Sequence, residues 1–190
     1  MSSIDARFKL TYDDLELLPY DGKRHEIIDG DHVVTPSPMV RHQDVVGNVH
    51  FHIKAFLREH PIGKVFMAPT DVVLSPIDIV VPDLLFISSE RRSILTAKNL
   101  QGAPDLVLEV LSDSTRRIDE VIKRKLYERF GVVEYWVADP AVDRLRIYRR
   151  DGDVFARAVE LSAEAGDSLT TPLLPGLAVP LAEIFPPSNP

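Results

Sequence analysis

The chain predicts a mixed α/β fold, with a central β-sheet of antiparallel and parallel strands flanked by helices, an N-terminal hairpin and a peripheral C-terminal β extension. Three observations carry this. Short aliphatic runs bounded by turn residues crowd the first half. A strand–helix–strand order from Asp105 to Val137 builds a parallel pair through a right-handed crossover. Two longer stretches, 39–60 and 116–130, repeat apolar residues at helical spacing. No internal repeat or boundary divides the 190 residues. We therefore expect a single domain over 1–190, a core at 24–150, and a tail at 160–190 that packs on the core or on a partner.

In order, Thr11 to Leu18 opens with an N-cap and an acidic first turn and stops at Pro19, which makes a short helix. Lys23 to Ile28 and Asp31 to Thr35 flank Asp29-Gly30, a strong hairpin signal. Glu26 lies in the first arm on the same face as Ile28; on pattern alone it reads as a solvent-facing strand residue. Pro36-Ser37-Pro38 precedes a helix over 39–60, whose apolar face is Val45, Val46, Val49, Ile53, Phe56 and Leu57. His42, His50, His52 and His60 fall in it and read as surface histidines. His50 and His52 point to different sides, which counts against a chelating pair.

Apolar segments at 64–68 and 71–75, followed by the run holding Asp83, suggest a meander. A polar connection spans 88–102, helical or irregular. Asp105 to Leu111 is a strand. The helix at 116–130 carries Ile118, Ile122, Leu126 and Phe130 at spacing four and stops at Gly131. Val132 to Asp139 is the next strand, and 145–149 with 153–159 form a peripheral antiparallel pair around Asp151-Gly152. In the tail, Leu173, Leu174, Leu177, Val179 and Leu181 are the residues available for packing.

Composition narrows the function. Hydrophobic residues at 45% and charged residues at 27% match an ordinary globular protein. The absence of cysteine excludes disulfides, thiolate metal sites and cysteine nucleophiles. No apolar run approaches a membrane span, and residues 1–11 lack an apolar signal core, so the expected location is cytoplasmic, with no membrane partner. A formal charge of −7 argues against general coating of nucleic acid, although a local basic face remains compatible with it.

Two acids stand out. Asp83 and Glu109 each sit in a short aliphatic run that reads as an interior strand, where an unpaired carboxylate is expensive. Magnesium takes near-octahedral oxygen ligation, commonly one or two carboxylates with waters and phosphates. Asp83 and Glu109 on adjacent strands, with the main-chain carbonyl near Val110, would supply that. Lys123 follows one turn after Asp119 on the next helix, and its ammonium could orient a water or neutralise a phosphate oxygen. On spacing alone, Lys123 reads rather as one of several solvated lysines on an exposed helix face. His42 and Gln43 lie near a helix start, where polar groups can approach an anionic ligand.

The motifs then accumulate in order. Glu26-Ile27-Ile28-Asp29-Gly30, Pro36-Ser37-Pro38 with His42-Gln43, and Ala68-Pro69 before Asp71-Val72 come first. Pro82-Asp83, Glu109-Val110-Leu111-Ser112, Ser114-Thr115, Asp119, Lys123 and Tyr127 follow, and Gly131-Val132-Val133-Glu134-Tyr135-Trp136 closes the set. The set resembles the PD-(D/E)xK nuclease superfamily and, more closely, the bacterial restriction-endonuclease family known as Uma-two. The resemblance runs from about residue 24 to 150.

It implies a restriction-endonuclease-like core and Mg2+-dependent cleavage of phosphodiester bonds, with Mn2+ as a substitute. Asp83 and Glu109 match the metal ligands, and Glu26 matches an early acid that completes the site. The superfamily's usual lysine position is Leu111 here; Lys123, from the following helix, matches the family's substitute.

Arg91, Arg92, Arg116, Arg117, Arg124, Lys125 and Arg129 flank the site in sequence and could form a phosphate-binding rim. Arg116 and Arg117, with His42 and Gln43, are the substrate-binding candidates. Arg144, Arg146, Arg149 and Arg150 form a second basic cluster. Solvated helix faces account for the basic residues equally well. The expected partners are DNA and a second copy of the chain in a homodimer. The alternative is a catalytically silent nucleic-acid-binding or assembly module on the same fold.

Overall fold

The computed structural model describes residues 8–19 and 21–187. Most of the N-terminal stretch read as lacking a signal core lies outside them, as do the last three residues of the tail. Helix α1 (Tyr12–Glu16) begins where the Asp14 carboxylate accepts from the Thr11 N–H and hydroxyl at 2.8 and 2.7 Å. Strands β1 (Arg24–Ile28) and β2 (Asp31–Thr35) form the expected hairpin. Asp29 and Gly30 turn it with φ of 51° and 81°, the paired positive values of a type I′ turn.

Helix α2 (Val40–Glu59) follows, then β3 (Gly63–Met67), β4 (Val72–Ser75), β5 (Asp78–Val80) and β6 (Leu84–Ser88). A 3-10 turn (Ser89–Ile94) and β7 (Leu100–Gln101) occupy the polar connection. After β8 (Leu106–Val110), a π-helical stretch (Ile118–Lys123) runs into α3 (Arg124–Phe130). Then come β9 (Glu134–Asp139), β10 (Arg144–Asp151), β11 (Val154–Phe155), β12 (Val159–Ser162), β13 (Ser168–Thr170), β14 (Ala178–Pro180) and α4 (Leu181–Ile184).

The central seven-stranded sheet runs β11-β10-β9-β8-β6-β3, with β12 also on β10. It is antiparallel except for β8 and β9, the parallel pair that the strand–helix–strand order predicts. The C-terminal extension continues this sheet, since β10 pairs with β9 from Arg144↔Asp139 to Arg149↔Glu134. A second, five-stranded sheet runs β2-β1-β5-β4-β7.

The expected meander does not form. β3 pairs with β6 in the central sheet, whereas β4 pairs with β5 in the second. The run holding Asp83 divides because Pro82 has no amide hydrogen to continue a ladder. Residues 81–83 therefore carry the chain from one sheet to the other, and Asp83 sits on that crossing rather than inside a strand.

Alternation along the strands sends side chains to two faces. On one face Leu84, Phe86, Leu106, Leu108 and Trp136 pack with Val45, Val49 and Ile53 of α2, and Leu174, Leu177, Val179 and Leu181 of the tail join them. The apolar tail is thus consumed within its own chain. On the other face Leu85, Val107, Tyr135 and Val137 meet Ile28, Val72 and Val80 of the second sheet, together with Leu126 and Tyr127. Glu109 shares the parity of Val107, so its side chain belongs to the layer between the sheets.

The helix at 116–130 differs from its predicted face. Ile122 is 43% exposed, while Asp119, Lys123, Leu126 and Tyr127 are buried. A π-helical turn bonds i→i+5 and so shifts the residues that follow around the helix axis. Gly131, at φ 85°, ends the helix as expected, its N–H directed to the carbonyls of Glu128 and Tyr127.

Candidate active site

Glu26 from β1, Asp83 from the crossing, Glu109 from β8, and Asp119 and Lys123 from the π-helical stretch converge between the sheets, all buried. The solvent-facing reading of Glu26 and the solvated reading of Lys123 are both overturned, with exposures of 1% and 4%. Burial follows from strand parity for Glu26, which points inward with Ile28, and from the π turn for Lys123.

Lys123 is the centre of the cluster. Its ammonium lies 2.8 Å from Glu26 Oε1, 3.0 Å from Glu109 Oε1 and 3.7 Å from Asp119 Oδ1. Burial alone would lower its pKa, but the three acids outweigh this and hold the lysine above its ordinary value. Glu26 Oε1 also accepts the Val81 N–H at 2.7 Å, which ties β1 to the crossing.

Glu109 Oε1 accepts from Lys123 and, at 2.7 Å, from the Tyr127 hydroxyl. Among the described residues, no hydrogen bond engages its Oε2. Burial raises the Glu109 pKa to about 8; Lys123 opposes the shift, and the charges of Asp119, Asp83 and Glu26 add to it. Asp119 rises to about 6, again chiefly through burial.

Asp83 behaves oppositely. Burial would raise it, but the His42 hydrogen bond, the Arg24 charge and the Val110 N–H bring it down to about 2. Its Oδ1 meets Arg24 Nη1 at 2.5 Å. Its Oδ2 accepts the Val110 N–H at 2.8 Å and faces His42 Nε2 at 3.0 Å. His42 is thus buried, not the surface histidine expected from the helix pattern, and its Nδ1 has no hydrogen-bond partner among the described residues.

A cavity of about 180 Å³ opens onto this cluster, lined among others by Arg24, His42, Asp83, Glu109, Val110 and Lys123. A second, of about 280 Å³, adjoins it across Arg24, His42 and Asp83 and includes Gln43, Met67 and Pro69.

The remaining candidates lie elsewhere. Arg116 makes a two-pronged pair with Asp139 at 2.7 and 3.1 Å, and Arg117 is exposed outside both cavities. Within the expected rim Arg91 also pairs with Asp105 and Arg129 with Asp78, and in the second basic cluster Arg144 pairs with Glu160, Arg146 with Glu120 and Arg149 with Glu134. Arg24, His42 and Lys123 are the basic side chains that line the first cavity among the described residues.

Sequence reasoning passed over Arg24. Its signal was parity: Arg24, Glu26 and Ile28 alternate on one face, so an inward Glu26 entails an inward Arg24. Asp119, four residues before Lys123, shares its helix face by the same logic.

The oxygen donors a cation could use are the carboxylates of Glu109 and of Asp83, whose oxygens already meet Arg24, His42 and the Val110 N–H, with the Val110 backbone in the same lining. This is the all-oxygen chemistry of a hard divalent ion. The acids Glu26, Asp83, Glu109 and Asp119 outnumber the full cations Arg24 and Lys123, and Glu109 retains an unengaged oxygen, so a further positive charge fits the cluster. Among the described residues there is no group of three or more histidine, aspartate or glutamate side chains arranged around one metal position, a geometry with more protein ligands than magnesium commonly uses.

No described helix is long and apolar enough to cross a membrane. No curated protein sequence matches the chain. Among solved structures, one described as a "putative nuclease belonging to DUF820" from Anabaena variabilis is similar, with a TM-score of 0.78 at 18% identity. That likeness covers 93% of this chain and 97% of the other, and it supports the restriction-endonuclease-like fold. The family model described as "Putative restriction endonuclease" matches residues 11–182, and the chain belongs to that family, Uma2.

Proposed function

We propose that the protein is a magnesium-dependent endonuclease that hydrolyses phosphodiester bonds in DNA. The observation that carries the reading is the pairing of Asp83 and Glu109 at one cavity, with a carboxylate oxygen of Glu109 unengaged and a buried lysine beside it. Asp83, Glu109 and the Val110 carbonyl would hold Mg2+, or Mn2+ in its place. A cation so held lowers the pKa of a bound water and offsets charge on the pentavalent phosphorus.

The protein's own groups do the rest. Lys123 is kept protonated by its acids, so it acts as a donor that orients water or neutralises a phosphate oxygen, not as a base. Glu26 positions that ammonium and completes the site. Tyr127 fixes the Glu109 carboxylate. His42 holds Asp83, and Gln43 faces the second cavity, where the substrate strand would continue; Arg117 offers an exposed charge to a more distant phosphate. A homodimer would present two such sites to the two strands of a duplex, and light scattering tests that state.

The test is cleavage of supercoiled, linear and single-stranded DNA with Mg2+ or Mn2+ by wild type, Asp83→Ala and Lys123→Ala. Metal-dependent nicking lost in both variants supports the full assignment. Loss in Asp83→Ala alone keeps the metal site and removes Lys123 from the chemistry. A second reading, a catalytically silent module, draws on one observation: Arg24 already occupies Asp83 Oδ1. No cleavage by wild type and no metal binding by calorimetry would favour it.

A further inference from the structure

We propose that Arg24 is a two-position guanidinium, held on Asp83 while the site is free of divalent cation and transferred to a substrate phosphate when a cation takes Asp83. The inference rests on the nuclease reading and deepens it.

Arg24 makes one contact with the acids, Nη1 to Asp83 Oδ1, and no other hydrogen bond engages its remaining donors among the described residues. Its side chain is 19% exposed against 4% for Asp83. Arg24 is therefore on the open side of the pair, while Asp83 is fixed from behind by the Val110 N–H and His42. It also lines both adjoining cavities, so the guanidinium stands where a strand passing from one to the other would place a phosphate.

The chemistry selects the class of ligand. A planar guanidinium with unused donors matches a phosphate's two oxygens, which a lysine ammonium does not. Asp83 cannot give Oδ1 to a guanidinium and to a divalent cation without setting two positive groups against each other. Loading Asp83 therefore releases Arg24, and a phosphate that accepts Arg24 frees Asp83. By linkage the two ligands must strengthen one another's binding equally. The gain is a device against idle loading: the cation binds weakly until a nucleic-acid phosphate arrives.

The experiment uses the full chain with Mn2+ alone, followed by calorimetry, and with a fluorescent duplex oligonucleotide followed by anisotropy in chelator and in Ca2+. Arg24→Met is expected to tighten Mn2+ binding by about tenfold, an ordinary coupling size, and to abolish the Ca2+-dependent gain in duplex affinity. Arg24→Lys is expected to keep Mn2+ binding near wild type while losing that gain, because it retains the charge but not the fork. This second variant keeps the test open should Arg24→Met fail to fold.

Unchanged or weaker Mn2+ binding in Arg24→Met would overturn the proposal and leave the metal site standing. A full Ca2+-dependent gain in either variant would equally overturn it. No Mn2+ bound by wild type or by Arg24→Met would overturn the metal site and this proposal together.

Discussion

Lys123 and Glu26 meet at 2.8 Å although one comes from the π-helical stretch after β8 and the other from the first strand of the second sheet. The contact closes a buried network in which one ammonium serves Glu26, Glu109 and Asp119. Removing that ammonium leaves carboxylates uncompensated out of water, the costly way to break a buried ion pair. Lys123→Met should therefore cost ~3–5 kcal/mol of unfolding free energy. Urea denaturation at pH 7 measures it; a loss below ~1 kcal/mol would mean that the lysine is effectively solvated.

The metal-free protein should lose stability as pH rises from 5 to 8.5. The folded values, about 8 for Glu109 and about 6 for Asp119, lie above the ordinary values of 4.5 and 3.8. The folded state thus holds these protons more tightly than the unfolded one. Their contribution is full below the ordinary values and is lost as pH passes through 6 and then 8. Thermal midpoints in chelator should fall across this window, and Glu109→Gln should flatten the slope. Added Mg2+ should restore the midpoint at the alkaline end by binding the folded state.

Asp83 predicts the reverse dependence at low pH. Held at about 2 by His42, Arg24 and the Val110 N–H against the cost of burial, it stabilises the fold above its ordinary value of 3.8. That contribution disappears as pH falls through about 2. Asp83→Asn should remove it, lowering the unfolding midpoint at pH 6 while narrowing the gap to wild type near pH 2. Acid titration followed by circular dichroism distinguishes the two curves.

Much of this arrangement was legible in the residues. Carboxylates inside aliphatic runs announce burial, and the parity of β8 and the order of strand, helix and strand place Glu109 beside a parallel neighbour. Three features were not legible. Division of the Asp83 run depends on Pro82 acting between two sheets, which a local pattern of apolar residues does not reveal. The π turn carries Ile122 outward against a spacing that reads as a regular helix. Arg24 belongs to the site only because Glu26 points inward, and that orientation is decided by the packing of one sheet on the other.

Arg116 and Arg117 should separate into different roles. Arg116 is held by Asp139 through both oxygens but remains partly exposed, so Arg116→Ala should cost ~0.5–1 kcal/mol of stability and leave DNA affinity nearly unchanged. Arg117 is exposed with no acid partner among the described residues. If it meets a phosphate, Arg117→Ala should weaken DNA binding across sequences and reduce the salt slope by about one unit. Anisotropy titrations over a salt series read both.

The passage of residues 81–83 between sheets has a consequence for when the buried cluster is assembled. Glu26 and Lys123 are far apart in the chain, and the shortest contiguous fragment that holds both with Asp83 and Glu109 runs from 26 to 123. A chain emerging from the ribosome therefore exposes isolated acids but no assembled centre until both sheets have docked. On the proposed nuclease reading, a partly folded copy carries the four side chains without the centre they form, so assembly of the two sheets and onset of cleavage coincide.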